Sequence, residues 1–197
     1  MKLIIATSNL HKLREYKAIL KPLFPDFDLY SLNSLEPFEL PEETGATFEE
    51  NAKIKALAAA KHFGELVLAD DSGLVVPALN GEPGVKSARY TGEDATDKDN
   101  RKALQAKLKG LPEKERVGYF ECAICIADPK GEVKTVKGLC EGSLLVEERG
   151  GNGFGYDPLF VKYDYNKTLA ELDEAVKNKI SHRRKAIDKL GPVLEAI

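Results

Sequence analysis

Short apolar runs, each followed by a cluster of polar residues, most constrain the fold of this chain. Lys2 to Ala6 predicts a buried strand, and Thr7-Ser8-Asn9 supplies capping side chains for a helix predicted from His11 to Leu20. Phe27 to Leu32 alternates like a second strand. Pro22 and Pro25 are expected to stop the first helix, because proline cannot continue the helical hydrogen bonds. The sequence thus opens with a strand–helix–strand unit.

The remaining elements follow from the same signals. Thr47 to Glu50 has the capping-box pattern, and the helix that it opens is predicted to end at Gly64. Further elements are predicted as a strand over Leu66–Ala69, a helix from Thr96 or Asp97 to Leu108, long strands over Val117–Ala127 and Glu132–Leu145, a strand near Leu159–Val161, and helical structure from Thr168, broken near Ser181 and at Gly191-Pro192. This mixture favours an α/β protein with a mixed β-sheet.

Length, charge and cysteine content narrow the class of protein. A chain of 197 residues predicts one domain, and a net charge of −3 gives no basic field that would attract long nucleic acid. No apolar run reaches the ~18 residues that a membrane span needs, so we expect no membrane partner and a cytoplasmic location. The odd number of cysteines, Cys122, Cys125 and Cys140, argues against a disulfide framework and favours buried structural thiols.

The first candidate site is Thr7-Ser8-Asn9-Leu10-His11-Lys12. It lies between a strand and a helix, where free N–H groups and the helix dipole attract phosphate, and Lys12 adds a positive charge. The alternative is ordinary helix capping by Ser8 or Asn9. The chain has no Walker A motif, so a phosphate site here is of another kind.

The second candidate is acidic. Asp70 and Asp71 follow the apolar run Leu66–Ala69, and the pairs Glu42-Glu43 and Glu49-Glu50 lie upstream. Magnesium usually takes one or two carboxylates and completes its coordination with waters and substrate phosphates. Adjacent aspartates on an extended chain point to opposite faces, so one of them is expected to enter the site. The alternatives are a turn stabilised by Asp70-Asp71 and, for Glu49 and Glu50, favourable charge at a helix start.

Two further stretches are candidates for binding a base. In Gly153-Phe154-Gly155-Tyr156-Asp157, glycines let the backbone approach a flat ring on which an aromatic side chain can stack. The alternative is a β-bulge with a buried aromatic. Lys177 to Arg184 brings basic donors beside His182, and the alternative there is a solvated helix end.

Taken together and in this order, these stretches closely resemble the Ham1 family of inosine/xanthosine triphosphate pyrophosphatases. The matching stretches are Thr7-Ser8-Asn9 with Lys12, Glu42 to Gly45 with Phe48 and Asn51-Ala52, Ala69 to Leu74, Pro83-Gly84 with Ser87 to Tyr90, Gly153 to Pro158, and Ser181-His182-Arg183. They span nearly the whole chain. Ser8 stands where many relatives carry glycine, a change that should leave the phosphate loop workable.

The resemblance implies one Ham1-like domain over residues 1–197, elongated and two-lobed, with an active-site cleft between the lobes, and a homodimer. It implies a Mg²⁺-dependent hydrolase that converts non-canonical purine nucleoside triphosphates to monophosphate and pyrophosphate. Thr7 to Lys12 would bind the triphosphate, Glu43 and Asp71 would bind Mg²⁺, and Asp71 would also be the general base. Substrate contacts are implied for Ser72, Phe154, Gly155, Tyr156, Asp157, Lys177, His182 and Arg183, while Glu42 and Asp70 have no assigned role.

Selectivity follows from hydrogen bonding at the base. Hypoxanthine and xanthine present an acceptor oxygen at C6 where adenine presents an amino group, so donors from His182 or Arg183 would stay unpaired against ATP. A buried unpaired donor costs about 1–3 kcal/mol. Three rival interpretations remain: a phosphatase that releases inorganic phosphate, a pyrophosphatase for pyrimidine or modified bases as in the structurally similar Maf group, and a catalytically silent nucleotide-binding regulator.

Overall fold

A computed structural model describes residues 1–196 of the chain. Its strands are β1 Lys2–Ile5, β2 Asp28–Ser31, β3 Leu66–Val75, β4 Val117–Asp128, β5 Gly131–Leu144 and β6 Phe160–Lys162. Its α-helices are α1 Leu10–Leu23, α2 Phe48–Phe63, α3 Asp97–Lys109, α4 Glu174–Ile180 and α5 His182–Leu194. Within these residues, none of the helices combines the length and the apolar character that a bilayer crossing requires.

The six strands form one mixed sheet in the order β2-β1-β3-β4-β5-β6. Strand β1 pairs in parallel with β2 and with β3, whereas β5 and β6 pair antiparallel. The predicted α/β class with a mixed sheet is therefore confirmed. The parallel pairs belong to the strand–helix units at the start of the chain, since parallel neighbours need a crossover connection.

The chain divides into two compact units. The first comprises Met1–Asp71, Cys122–Gly138 and His182–Ile197, and the second comprises Ser72–Glu121 and Leu139–Ser181. Strands β3, β4 and β5 contribute residues to both units.

Each unit has its own apolar core. In the first unit, the core consists of residues from β1, α1, β3, β4 and α5, among them Ile5, Leu20, Leu68, Ile124 and Leu190. In the second, it consists of residues from β3, α3, β4, β5 and the segment after the glycine-rich loop, among them Leu74, Leu104, Leu144 and Phe160. The three cysteines are buried and free, as predicted.

Helix α2 forms where its capping signals predict. The Thr47 side chain accepts a hydrogen bond from the Glu50 N–H, and the Glu50 carboxylate accepts from the Thr47 N–H, which completes the capping box. Gly64 ends the helix in the left-handed conformation at φ 67°, which glycine adopts without steric cost. These caps fix the two ends of α2, and residues at helical spacing, Phe48, Ala52, Ala56 and Ala59 among them, form its buried face.

Three predicted boundaries are wrong. Helix α1 continues through Pro22 and α5 through Pro192, because each proline lies in a last turn, where the hydrogen bond that it removes affects only the end of the helix. Strand β3 does not end at Ala69 but runs ten residues to Val75, so Asp70 and Asp71 lie inside it rather than in a turn. Both aspartates have buried partners, which makes polar residues tolerable within a buried strand. The predicted break near Ser181 is confirmed.

Candidate active site

The loop between β1 and α1 presents the start of a helix. Asn9 is the N-cap, and its side-chain oxygen accepts hydrogen bonds from the N–H groups of His11 and Lys12 at 2.9 and 3.1 Å. The Asn9 N–H in turn donates to the Thr7 hydroxyl at 3.2 Å. Ser8, Leu10 and His11 are exposed. The capping alternative is therefore realised in Asn9, and the helix start that it organises stays open to solvent.

The Lys12 side chain extends from the start of α1 to the aspartates of strand β3. Its ammonium lies 2.9 Å from Oδ2 of Asp70, and its side chain is 14% exposed. Burial and the charge of Arg183 would lower the pKa of Lys12, but the carboxylates of Asp70 and Asp71 raise it above the ordinary value. The lysine therefore carries its positive charge beside both aspartates.

Asp70 lies in a buried ionic cluster. Its Oδ2 accepts from Lys12 and lies 3.6 Å from the Arg183 guanidinium, which also forms an ion pair with Glu15 and lies 5.2 Å from the centre of the Tyr16 ring. Burial alone would raise the pKa of Asp70, but Lys12 and Arg183 hold it well below its ordinary range. Asp70 thus stays ionised and fixes the ammonium of Lys12.

Asp71 has a different environment. Its Oδ2 accepts a hydrogen bond from the Asn51 side chain at 2.9 Å, and only 5% of the residue is exposed. Burial raises the pKa of Asp71, the charge of Glu43 adds to that, and Lys12, Lys55 and Asn51 oppose it without reversing it. Two neighbouring carboxylates therefore have pKa values shifted in opposite directions, which is the pattern that separates roles at an active site.

Glu43 is held next to Asp71 by helix α2. Its Oε1 accepts from the ammonium of Lys55 at 2.5 Å, and Lys55 lies one helical turn after Asn51, which bonds Asp71. The side chains gathered here are thus two carboxylates, of Glu43 and Asp71, and two ammonium groups, of Lys12 and Lys55, contributed by α1, α2, β3 and the loop before α2.

The glycine-rich loop forms a second set of contacts. The Asp157 carboxylate accepts from the Phe154 N–H at 3.0 Å and from the Lys177 ammonium at 2.5 Å. The same ammonium lies 4.7 Å from the centre of the Phe154 ring, a cation–π distance. Tyr156 is 3% exposed and donates its hydroxyl to the Ser87 carbonyl at 2.9 Å. Phe154, Asp157 and Lys177 are therefore one connected group, and Tyr156 belongs to the core beneath them.

Comparison with known proteins identifies the family. The Ham1 family model matches residues 3–193 of the chain. The chain belongs to the Ham1 family. A "dITP/XTP pyrophosphatase" of Protochlamydia amoebophila is 53% identical over 196 residues, which cover 99% of this chain and 98% of that protein. The Ham1 protein structures from Staphylococcus aureus and Coxiella burnetii have TM-scores of 0.87 and 0.88 at 44% and 38% identity, and each comparison covers this whole chain and at least 99% of the other.

The predicted site residues of this Ham1 protein fall into two groups. Thr7 to Lys12, Glu43, Asp71, His182 and Arg183 belong to the first compact unit, and Ser72, Phe154 to Asp157 and Lys177 belong to the second. Within the first unit, the structure brings Lys12 and Glu43 to Asp71, and it places the guanidinium of Arg183 on Glu15 and Asp70. His182 is buried at the start of α5.

Sequence reasoning missed Asn51 and Lys55 as members of this site. Both lie on the buried face of α2, among alanines, where a polar side chain needs a partner. Their i, i+4 spacing on an alanine-rich helix was the available signal, since such residues share one face.

The donor set fits a magnesium ion. The carboxylates of Glu43 and Asp71 lie close enough for the charge of one to raise the pKa of the other, and a divalent cation between them relieves that repulsion. Among residues 1–196, no group of three or more histidine, cysteine or acidic side chains is arranged around one point for a metal. Two carboxylates are the usual protein share for Mg²⁺ when substrate phosphates supply further oxygens.

Proposed function

We propose that this chain hydrolyses non-canonical purine nucleoside triphosphates, namely ITP, dITP and XTP, to the nucleoside monophosphate and pyrophosphate, and so removes them from the nucleotide pool. One observation carries the chemical part of the proposal. Asp71, a buried carboxylate with a raised pKa, lies within the electrostatic reach of Lys12, Lys55 and Glu43. The substrate class is supported by membership of the Ham1 family and by relatives named for dITP and XTP.

The start of α1 is the proposed binding site for the triphosphate. Thr7 to His11 offer hydroxyl and N–H groups at the positive end of the helix dipole. Lys12 adds a charge whose position is fixed by Asp70. An anionic tail bound there meets a pre-arranged ammonium, which costs no reorganisation when charge develops in the transition state.

Glu43 and Asp71 are the proposed ligands of Mg²⁺. When bound, the cation would neutralise phosphate charge and so favour attack of water on the phosphorus. Lys55 keeps the Glu43 carboxylate in place, and Asn51 does the same for Asp71. Asp71 is also the proposed general base, because its buried carboxylate is held in place by Asn51 and can accept a proton from the attacking water.

Phe154, Gly155, Tyr156, Asp157 and Lys177 are the proposed contacts to the base, together with Ser72, His182 and Arg183. The Phe154 ring offers a stacking surface. The Asp157 carboxylate fixes both the backbone N–H of Phe154 and the ammonium of Lys177. Donors aimed at the C6 oxygen would favour hypoxanthine and xanthine over adenine, since a donor left unpaired against ATP costs about 1–3 kcal/mol.

A substrate panel tests the proposal. Purified protein is incubated with ITP, XTP, dITP, GTP, ATP and UTP in Mg²⁺, and pyrophosphate and inorganic phosphate are measured separately. We expect pyrophosphate from ITP, dITP and XTP, with kcat/KM at least about 30-fold above that for ATP, the combined effect of two unpaired donors at about 1 kcal/mol each. Release of inorganic phosphate as the first product would instead identify a phosphatase, and metal-indifferent binding without turnover would identify a regulator.

We further propose that the protein is a homodimer, as its family resemblance implies, and that it works in the cytoplasm. Light scattering on the protein in solution checks the first part, and a molar mass equal to one chain would contradict it. Localisation of a tagged full-length chain in its native cell checks the second part.

A further inference from the structure

Helix α3 has a polar face that contains none of the proposed substrate contacts. Asp97, Arg101 and Gln105 are spaced four residues apart, so their side chains lie along one side of the helix. Leu104 and Leu108 on the neighbouring side are fully buried in the core of the same unit. The helix is therefore anchored by its apolar side, and its polar face is held in a fixed place.

All three side chains of this face bind the backbone or side chains of residues 146–155. The Asp97 carboxylate accepts from the Gly155 N–H at 2.7 Å, and the Arg101 guanidinium donates to the Gly155 carbonyl at 2.9 Å. Gln105 donates to the Val146 carbonyl at 3.0 Å, and Arg101 also forms a 3.1 Å ion pair with Glu148. One helix face thus fixes Val146 and Gly155, the two ends of a segment that contains the glycine-rich loop.

Gly155 needs this support because of its conformation. It has a φ of 59°, in the left-handed region, and Gly150 and Gly153 have φ values of 84° and 75°. Glycines lose more backbone freedom on ordering than other residues, so a loop rich in them is costly to hold in one shape. Asp97 and Arg101, on adjacent turns of α3, bind the N–H and the carbonyl of Gly155. These two bonds fix the orientation of the peptides on both sides of Gly155.

These bonds also restrict the backbone of Phe154. Its N–H is bound by Asp157, and the peptide that follows it ends at the Gly155 N–H, which is bound by Asp97. The backbone on both sides of the Phe154 ring is therefore held by carboxylates from different elements. A ring that is fixed before ligand arrives loses less entropy on stacking.

We propose that Asp97 and Arg101 are positioning residues that set the two peptides on either side of Gly155, and with them the Phe154 ring, for the base of the nucleotide. This rests on the proposed function, because it assumes that Phe154 stacks on that base. The two residues act through the loop and contact no reacting atom, so they affect the binding of the base more than the chemical step.

The test compares Asp97→Ala and Arg101→Ala with Asp99→Ala. Asp99 lies in the same first turn of α3, carries the same charge and completes the capping box with Thr96, so its carboxylate bonds Thr96 where that of Asp97 bonds the loop. Steady-state kinetics with ITP should show KM raised about tenfold in the Asp97 and Arg101 variants, which corresponds to about 1.4 kcal/mol. Their kcat should stay within about twofold of the wild type, and Asp99→Ala should keep the wild-type KM.

A binding measurement separates positioning from general destabilisation. Calorimetric titration should show weaker binding of inosine monophosphate by Asp97→Ala and Arg101→Ala, and unchanged binding of pyrophosphate, which has no base. Arg101→Lys, which keeps a donor for the Gly155 carbonyl, should recover at least half of the loss on a logarithmic scale. If an alanine variant fails to fold, Asp97→Leu or Arg101→Met, which keeps side-chain bulk but removes the acceptor or the donor, is compared with the same control.

The outcomes distinguish the two proposals. A wild-type protein that does not hydrolyse ITP overturns the proposed function. If wild-type protein hydrolyses ITP but the Asp97 and Arg101 variants share the KM of Asp99→Ala, the positioning role is overturned. A fall in kcat at constant KM, or an equal loss of pyrophosphate binding, overturns it as well.

Discussion

At the scale of single residues, Asp70 and Asp71 show how neighbouring carboxylates acquire different chemistry. Alternation along β3 sends them to different partners, Lys12 with Arg183 for one and Asn51 for the other. The cationic partners keep Asp70 ionised, whereas burial raises the pKa of Asp71. Only the second is therefore suited to take up a proton during turnover.

Asp71→Asn tests that assignment. The amide keeps the shape and can still bond Asn51, but it accepts no proton and is a poor ligand for a cation. We expect kcat for ITP to fall at least about 100-fold, the range of general acid–base effects. The melting temperature should change by no more than a few degrees. Turnover close to that of the wild type would contradict the role.

Asp70→Asn should act on stability instead. It leaves Lys12 and Arg183 buried without their shared counter-charge, and breaking a buried ion pair costs about 3–5 kcal/mol. The free energy of unfolding in urea measures this loss. Glu65→Gln is the control, because it breaks the solvent-exposed pair with Lys2, worth at most about 1 kcal/mol. Equal losses in the two variants would refute the view that the Asp70 cluster is structural.

His182→Ala and Arg183→Ala test the proposed reading of the base. Both should lower the ratio of kcat/KM for ITP to that for ATP, because each removes a donor proposed for the C6 oxygen. The Arg183 variant should also lose stability, since its guanidinium is the buried partner of Glu15. An unchanged ratio in both variants would remove these residues from the base contacts.

Cys122 supplies a prediction about pH. Burial raises the pKa of its thiol to about 12, while the thiol of an unfolded chain ionises near its ordinary value of 9.0. Between these values the folded state binds more protons than the unfolded state, so this contribution to stability is complete below pH 9 and is lost as pH rises. We expect Cys122→Ala to flatten the decline of unfolding free energy above pH 9. A decline identical to that of the wild type would contradict the linkage.

At the scale of secondary-structure elements, the sequence predicted most strands and helices but misplaced the acidic pair. Capping residues and Gly64 are local signals, and they located both ends of α2. The continuation of β3 through Asp70 and Asp71 depends on partners from distant parts of the chain, on α1, α2 and α5. Local patterns cannot show such partners, so two aspartates in an apolar run resembled the end of a strand.

The same limit explains which site residues were found. Glu43, Asp71 and Lys12 were recognised from motifs whose spacing resembles a family. Asn51 and Lys55 were missed as site residues because they look like polar members of an ordinary amphipathic helix until the strand beside them is known. The polar face of α3 was missed for a similar reason, since its partners lie about fifty residues away along the chain.

Gly138 shows how closely β5 and α5 approach each other. A Cβ at this position would meet the His182 carbonyl and the Ala186 nitrogen at less than contact distance. We expect Gly138→Ala to cost about 1–3 kcal/mol, the usual penalty of overpacking, and to displace the start of α5. Gly151→Ala is the control, because nothing beyond its chain neighbours lies within 4 Å of its Cβ, and it should change the free energy of unfolding by no more than about 0.5 kcal/mol. Chemical unfolding of both variants measures the difference, and a stable Gly138→Ala would mean that the two backbones can separate cheaply.

At the scale of the whole molecule, a chain with net charge −3 is proposed to bind a highly anionic nucleotide. Long-range attraction cannot supply that affinity, so we propose that local charges do: Lys12, Lys55 and a cation held by Glu43 and Asp71 in the first unit, and Lys177 in the second. Each of these lysines is already bound to a carboxylate of its own unit. The phosphates of a nucleotide can bind these lysines only by replacing or sharing their present ion pairs. We therefore expect the affinity for phosphate to depend on the divalent cation as well.

Thermal unfolding with an unreactive ligand tests this dependence. An inosine triphosphate analogue with a methylene group between the α and β phosphorus atoms binds without being cleaved at that bond. At about 100 times its Kd, a ligand that binds only the folded state adds about 2.7 kcal/mol. For a chain of this length, that corresponds to a rise in Tm of roughly 5–10 °C. The rise should largely disappear when EDTA replaces Mg²⁺, and the adenosine analogue at the same concentration should give a much smaller one. Equal shifts with both bases would show that the chain does not select the purine at the binding step, and a shift that survives EDTA would show that the cation is not what joins the phosphates to Glu43 and Asp71.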